Sequence, residues 1–515
     1  MTNNDIVQKL WNLCDVLRDD GINYSDYVAE LVLLLFLKMV HENTEAGLLG
    51  QHTLPEGRRW TDINGKSGLV LLNYYKQMLL DLSKDRDPLI AAIYADAQTR
   101  LREPRHLEQL VKALEQIDWF SAKRDGLGDL YEGLLEKNAS ETKSGAGQYF
   151  TPRVLINSMV NCIQPQAGET IQDPAAGTAG FLIAADAYIK ERTDNLYALP
   201  EAQQHFQVNN AFIGVELVPG TRRLALMNCL LHGMEGDNEG VVHLGNALGQ
   251  VGATLKKCDI VLANPPFGTA KGGEASITRD DLTYKTSNKQ LAFLQHIYRT
   301  LKPGGRAAVV LPDNVLFEAG VGTEIRRDLM HKCNLHTILR LPTGIFYAQG
   351  VKTNVLFFTR GTADNKDQDE NCTQHIWVYD LRTNMTSFGK RTPFSAAHLA
   401  PFEVCYAEKP RVDQSENGRW RCFSREYVRD TKGDSLDISW LKDENSVDAA
   451  NLPEPEELAA EALGELEAAI AGLRELLEAL SPQEALSPNT VPMEETLSPN
   501  PSPQMREGLK EGDFT

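Results

Sequence analysis

The run Asn264-Pro265-Pro266-Phe267 sets an amide, rigid backbone carbonyls and an aromatic ring in four consecutive positions. It follows Asp259-Ile260-Val261-Leu262-Ala263, an apolar run that reads as a buried strand. Proline gives the ladder no N–H, so the chain must leave the sheet at this point. At a strand end, the Asn264 oxygen and the Pro265 carbonyl can both accept from the exocyclic amine of a planar group. Phe267 can stack on that group's face. Two such acceptors concentrate the amine's lone pair toward an incoming methyl group. For the tetrapeptide taken alone, the alternative is a turn whose aromatic ring plugs the core.

A second constellation lies upstream. Asp173-Pro174-Ala175-Ala176-Gly177-Thr178-Ala179-Gly180-Phe181-Leu182 follows a short strand ending Ile171-Gln172-Asp173 and opens a helix. Small residues let backbone pass close to a ligand, and helix N-terminal amides point into the same space. The spacing is G-x-x-G, without the dinucleotide fingerprint or a P-loop lysine, which disfavours a dinucleotide or triphosphate. Asp173 at the strand end suits a cationic or hydrogen-bond-donating ligand. Glu216 ends the next strand, Phe212 to Val215, where a carboxylate can take both hydroxyls of a ribose. Tight packing and a solvated carboxylate are the bland alternatives for the two features taken singly. Loop, carboxylate and N-P-P-F together point to S-adenosylmethionine. No metal-ligand spacing is visible, so no metal is expected.

The elements that must carry these residues are legible as changes of pattern. From about 150 to 360, strand candidates alternate with helical stretches. The strands are Phe212 to Val215, Ile260 to Ala263, Ala307 to Leu311, Thr337 to Leu341 and Val355 to Thr359. The helices include Gly180 to Arg192, Pro219 to His232 and Leu291 to Leu301. Such alternation predicts an α/β fold with a mainly parallel sheet, helices on both faces and ligands at the strands' carboxyl ends. Residues 1–140 read as an all-helical domain with no catalytic constellation. Ile6, Leu10, Leu13 and Leu17 mark one apolar face, and Tyr27 to Val40 a buried helix. Leu79 to Arg102 and His106 to Ile117 are further helices. Residues 361–450 are mixed and polar with few signals. Leu463, Leu466, Ile470, Leu473, Leu477 and Leu480 form a short heptad seam, which suggests a helix over 451–480 that docks on a partner or on its own chain. Leu-Ser-Pro recurs at 480–482, 486–488 and 497–499, and 481–515 reads as disordered.

Composition narrows the function classes. The chain has 515 residues, enough for two to four domains, and its eight cysteines form no C-x-x-C pair. No apolar stretch spans a bilayer and no export signal is visible, so a cytoplasmic protein with reduced thiols is expected. The net charge of −19 argues against strong autonomous binding to nucleic acid. Fourteen acidic and three basic residues over 451–515 hold −11 of it, leaving a weakly acidic body that can still carry a basic groove.

In order along the chain, Gly147-Gln148-Tyr149-Phe150-Thr151-Pro152-Arg153, the glycine loop, Glu216 and N-P-P-F resemble the adenine-N6 DNA methyltransferases. With Leu10-Trp11 and the Leu31 to Lys38 run, the likeness extends over residues 5–480. It is to the methylation (M) subunit of type I restriction–modification systems. The resemblance implies a Rossmann-like S-adenosylmethionine-dependent methyltransferase domain over 141–450, preceded by an all-helical N-terminal domain and followed by a C-terminal helical tail. It implies that Gln148, Tyr149, Phe150, Thr151, Pro152 and Arg153 wrap the methionine end of the cofactor. Gly177, Thr178, Ala179 and Gly180 would line it with Asp173 nearby, and Glu216 would hold the ribose. Asn264, Pro265, Pro266 and Phe267 would hold a flipped adenine, with Phe346 of Leu341-Pro342-Thr343-Gly344-Ile345-Phe346 on its other side. One position departs from the family pattern. Asn246 stands where many relatives have an aspartate that accepts from the cofactor's adenine amine, although its amide oxygen can also accept.

The implied function is methyl transfer to adenine N6 in a specific sequence of double-stranded DNA, protecting host DNA from restriction. The resemblance further implies a separate specificity (S) subunit, two M per S, and restriction (R) subunits in the full complex. A self-contained adenine methyltransferase and a protein-glutamine methyltransferase share the N-P-P-aromatic chemistry. No second large domain is visible after residue 360 for the first. The second family is usually shorter and lacks the Gln148–Arg153 element.

Overall fold

The computed structural model describes residues 3–22, 26–47, 52–117, 119, 127–141, 150–267, 277–346, 351–389 and 392–442. The seam at Leu463 to Leu480, the Ser/Pro-rich end, and Gln148 and Tyr149 lie outside the described residues. Residues Met1–Glu444 form one compact unit.

Helices come first. The central one, Tyr27–Glu45, is buried at every position from Leu31 to Val40. That burial includes Lys38, whose ammonium lies 2.8 Å from both Glu42 and Glu115. A buried charge held this way is offset by its partners rather than by water. The stretch from Leu79 to Arg102, expected as one helix, is instead the end of Gly68–Leu82, a second helix Pro88–Tyr94, and irregular chain. Pro88 has no N–H and takes the first helical position, while the Asp87 carboxylate caps the N–H groups of Leu89 and Ile90. The Ile6–Leu17 face is likewise split at Leu13, between helices Asn3–Asn12 and Cys14–Asp19. Ile6, Leu10 and Leu17 are nonetheless all buried.

The sheet has nine strands: β1 Ile171–Asp173, β2 Phe212–Glu216, β3 Val242–Leu244, β4 Cys258–Ala263, β5 Leu301–Pro312, β6 Cys333–Arg340, β7 Thr353–Arg360, β8 His375–Asp380 and β9 Trp420–Ser424. Their spatial order is β3-β2-β1-β4-β5-β7-β6-β8-β9. The five strands from β3 to β5 are parallel, joined by helices such as Gly180–Arg192, Pro219–Leu231 and Lys289–Thr300. Beyond them β6 and β8 run in the same direction and pair parallel with each other, so the sheet is mainly parallel as expected, with two reversed strands. β7 inserts antiparallel between β5 and β6, and β9 pairs antiparallel with β8. The twelve-residue link from β6 to β7 needs no crossover, so β7 can return directly beside its predecessor. β1 is the switch point: the chain builds outward to β2 and β3, then returns to β4 on the other side. Crevices at the carboxyl ends of such strands receive ligands.

Residues 361–442, polar and unrevealing in sequence, complete the sheet with β8, β9 and the helix Ala396–Ala407. Pro401 lies inside that helix and masks its pattern. Trp377 and Trp420 stack across the β8–β9 pair with ring centroids 5.1 Å apart. Arg382 follows β8 and ties it to the sheet's centre. Its guanidinium pairs both nitrogens with Asp313 at 2.8 and 2.9 Å, and donates to the Leu341 and Thr353 carbonyls at 2.9 and 2.7 Å. Arg382→Ala leaves the half-buried Asp313 uncompensated and is expected to cost about 3 kcal/mol in urea unfolding; a loss under about 1 kcal/mol would show that the clamp is not structural.

Candidate active site at the carboxyl edge of the sheet

The chain reverses sharply after β1. Gly177 (φ +54°) and Ala179 (φ +68°) both adopt the left-handed region, and the helix Gly180–Arg192 starts at once. For Ala179, which is fully buried, that conformation costs roughly 1–2 kcal/mol, so the surroundings must hold it. Glu216 at the end of β2 does part of this. Its Oε2 accepts from the Gly177 N–H at 3.0 Å and its Oε1 from the Val218 N–H at 2.8 Å. Asn228 adds a bond from its amide to the Thr178 carbonyl at 3.0 Å. Asp173 is buried with its carboxylate against the Ala175 N–H at 3.0 Å. Burial pushes its pKa up to about 7; the Ala175 bond opposes the shift and the Glu216 charge adds to it. Burial also raises Glu216, against the pull of its backbone donors.

The ends of β3 and β4 face the same space. After β3 the Gly245 N–H donates to the Glu216 carbonyl at 2.9 Å, and the Asn246 side-chain oxygen takes the Leu248 N–H at 2.9 Å in a local turn. After β4, the Asn264 amide nitrogen donates to Thr151 Oγ1 at 2.8 Å. The Pro266 carbonyl accepts from Gln290 Nε2 at 3.0 Å, fixing the exit path of the tetrapeptide. The Phe267 ring meets Phe346 edge-on, with centroids 5.9 Å apart and planes at 77°. Phe346 is held by a turn in which Gly344 (φ +81°) is obligatory, because a Cβ there would collide with the Phe388 carbonyl.

A cavity of about 430 Å³ gathers these groups. Of the residues expected from sequence, Phe150, Thr151, Arg153, Asp173, Gly177, Thr178, Gly180, Glu216, Asn246, Asn264 and Pro266 line it. Pro152, Ala179, Pro265 and Phe267 lie off its lining. The sequence reading missed several walls. Glu132, Leu135, Glu136 and Asn138 come from the helix Leu127–Glu141, in a region expected to be packing alone, and Glu132 is ion-paired with Arg153. Leu217 and Val218 line the cavity while remaining 61% and 48% exposed. Two bare aliphatic residues directly after a strand-ending carboxylate were the available signal. Lys289 and Phe293 enter from the next helix. Asp129, Glu132 and His232 bring donor atoms within 4.8 Å of one another, but the Arg153 guanidinium on Glu132 opposes a cation there.

Residues 122–432 match the family model described as N-6 DNA Methylase, and residues 6–114 match the HsdM N-terminal domain. The chain is 55% identical to the type I restriction enzyme StySPI methylase subunit of Salmonella potsdam, covering 93% of this chain and 96% of that one. It is equally similar to the EcoKI methylase subunit of Escherichia coli K12, with the same shares covered. Among solved structures, the EcoKI M protein aligns over 93% of this chain and 97% of its own, at 51% identity and a TM-score of 0.56. A modification subunit of a type I restriction enzyme from Vibrio vulnificus shares the fold, with a TM-score of 0.67 over 87% of this chain and 99% of its own, at 24% identity. The chain belongs to the N-6 DNA methylase family and, within it, to the methylase subunits of type I restriction enzymes.

Proposed function

We propose that the cavity holds S-adenosylmethionine and that Asn264, Pro265, Pro266 and Phe267 hold an adenine extruded from double-stranded DNA beside it. The observation that carries the reading is the meeting of Asn264 with Asp173 and Glu216 in the lining of one cavity. The residues fit the cofactor. A volume of about 430 Å³ suits a ligand of this size. A buried carboxyl at Asp173 calls for a cationic or donating group, and no Cβ intrudes at Gly177, where the space around that position is open. When bound, S-adenosylmethionine supplies an electrophilic methyl group on a sulfonium.

The protein's part is positioning. Glu216 takes the ribose hydroxyls, Leu217 and Val218 flank the cofactor's base, and Asn246 faces its amine. Phe150, Pro152, Arg153 and Thr178 to Gly180 enclose the methionine end, together with Gln148 and Tyr149. Asn264 and the Pro265 carbonyl accept from the adenine amine and aim its lone pair. Phe267 stacks on the base, returning about 1–3 kcal/mol of the few kcal/mol that extrusion costs. Phe346 closes the other side.

We further propose that a specificity subunit supplies sequence recognition, two methylase chains per specificity chain, joined by restriction subunits in the full cytoplasmic complex. Residues 451–480 would serve as a subunit-contact helix. The net charge of −19 and the naming of its relatives as subunits support a requirement for a partner. Site-specific transfer from labelled cofactor to DNA is expected only when the specificity subunit is present; equal, sequence-specific transfer by the chain alone would remove the partner. Asn264→Ala is expected to lower kcat by about 100-fold or more with the cofactor Kd within about threefold; full transfer by this variant would remove Asn264 from the chemistry. Only ionised Asp173 can hold a cationic group, so cofactor affinity should rise with pH through about 7. By calorimetry the Kd at pH 6 should be about tenfold weaker than at pH 8, with proton uptake by the buffer at the lower pH. Asp173→Asn should lose that dependence, and an unchanged profile in this variant would assign the titration elsewhere.

A further inference from the structure

We infer that Thr151 is a positioning residue whose hydroxyl orients the Asn264 amide toward the target amine. The inference rests on the reading of Asn264 given above. An amide has two unlike ends, and an amine donor is accepted only by its oxygen. Asn264 Nδ2 donates to Thr151 Oγ1 at 2.8 Å, which turns the amide oxygen to the opposite side. The two residues are 113 positions apart, and each is fixed by its own element.

Thr151 is 8% exposed and stands one residue ahead of Pro152, the N-cap of the helix Arg153–Ile163. That helix is pinned at both ends. Near its start, Arg153 donates to the Gly180 carbonyl at 3.1 Å and pairs with Glu132. At its end, Arg306 of β5 donates to the carbonyls of Ile163 and Gln164, both at 2.8 Å. β5 pairs with β4, so the hydroxyl and the strand that delivers Asn264 are referenced to the same sheet. Thr151 therefore presents a fixed acceptor at the rotatable end of Asn264. It also lines the cavity beside Glu216, so a direct cofactor contact is the competing role that the test must separate.

Thr151→Val removes the acceptor while keeping a branched side chain. With the complete methylase complex, kcat at saturating S-adenosylmethionine should fall about 10- to 100-fold, with the cofactor Kd within about threefold. Thr151→Ser should restore the rate to within about threefold of the parent. In the Asn264→Ala background, Thr151→Val should add no further loss. If the valine variant does not fold, Thr151→Ala is read in the same way. A valine variant at the parent rate, with Asn264→Ala inactive, would overturn this inference and leave the reading of Asn264 intact. A cofactor Kd that weakens in step with the rate would also overturn it, assigning Thr151 to the cofactor. Asn264→Ala at the parent rate would remove the underlying reading itself.

Discussion

The glycine loop after β1 depends for its reversal on a carboxylate at the end of the neighbouring strand. Glu216 spends both oxygens on backbone N–H groups, Gly177's from the loop and Val218's from its own strand end. The loop contains two left-handed residues, one of them an alanine, and would not keep that reversal by local preference. With the loop fixed, the helix Gly180–Arg192 starts in a defined direction. Its first carbonyl then gives Arg153 a place to bind, and Arg153 in turn locates the helix that Thr151 precedes. The chain of dependence runs from a strand-end carboxylate, through a reversal, to the hydroxyl against Asn264.

The same carboxylate shapes the electrostatics. Asp173 and Glu216 line one small cavity, and each is raised chiefly by its removal from water. Two acids kept together in a half-dry space disfavour an anionic ligand and favour one that brings hydrogen-bond donors or positive charge. Of the other acids in the lining, Glu132 is ion-paired with Arg153, and Glu136 is raised by burial. Acids raised by burial thus cluster at this cavity, as expected where a ligand completes the structure.

How much of this could be read from the sequence depended on the range of each interaction. The helix Gly180–Arg192 matches its predicted bounds because an apolar period and a glycine loop define it locally. The strand ends carrying Asp173, Glu216 and Asn264 were legible for the same reason. The break at Pro88 was open to a local reading too, since Asp-Pro is a cap followed by a first helical residue. β7 was found as a strand but not as an antiparallel one, because its direction is set by pairing with β5 and β6 rather than by its own residues. β8 and β9 are held by a tryptophan pair 43 residues apart and by Arg382, contacts with no signature in either segment alone. The Thr151–Asn264 bond belongs to that class. Both residues were expected at the site, but nothing in the sequence joined them.

That last class also decides where the catalytic unit ends. Residues 6–114 and 122–432 match separate family models, and every residue lining the cavity falls within the second. Glu132, Leu135, Glu136 and Asn138 form part of its wall, and Glu132 anchors Arg153. Further forward, Arg223 of the helix Pro219–Leu231 donates to the Ile93 carbonyl at 3.0 Å. Gly240 passes so close to Leu89 that a Cβ there would meet its side chain at 2.7 Å. The helices before the sheet thus reach the site in two steps, by packing against the strand-connecting helix and by supplying the partner of Arg153. They hold in place the segment that carries Thr151, so the hydroxyl bonded to the Asn264 amide reaches it from outside the sheet that delivers Asn264.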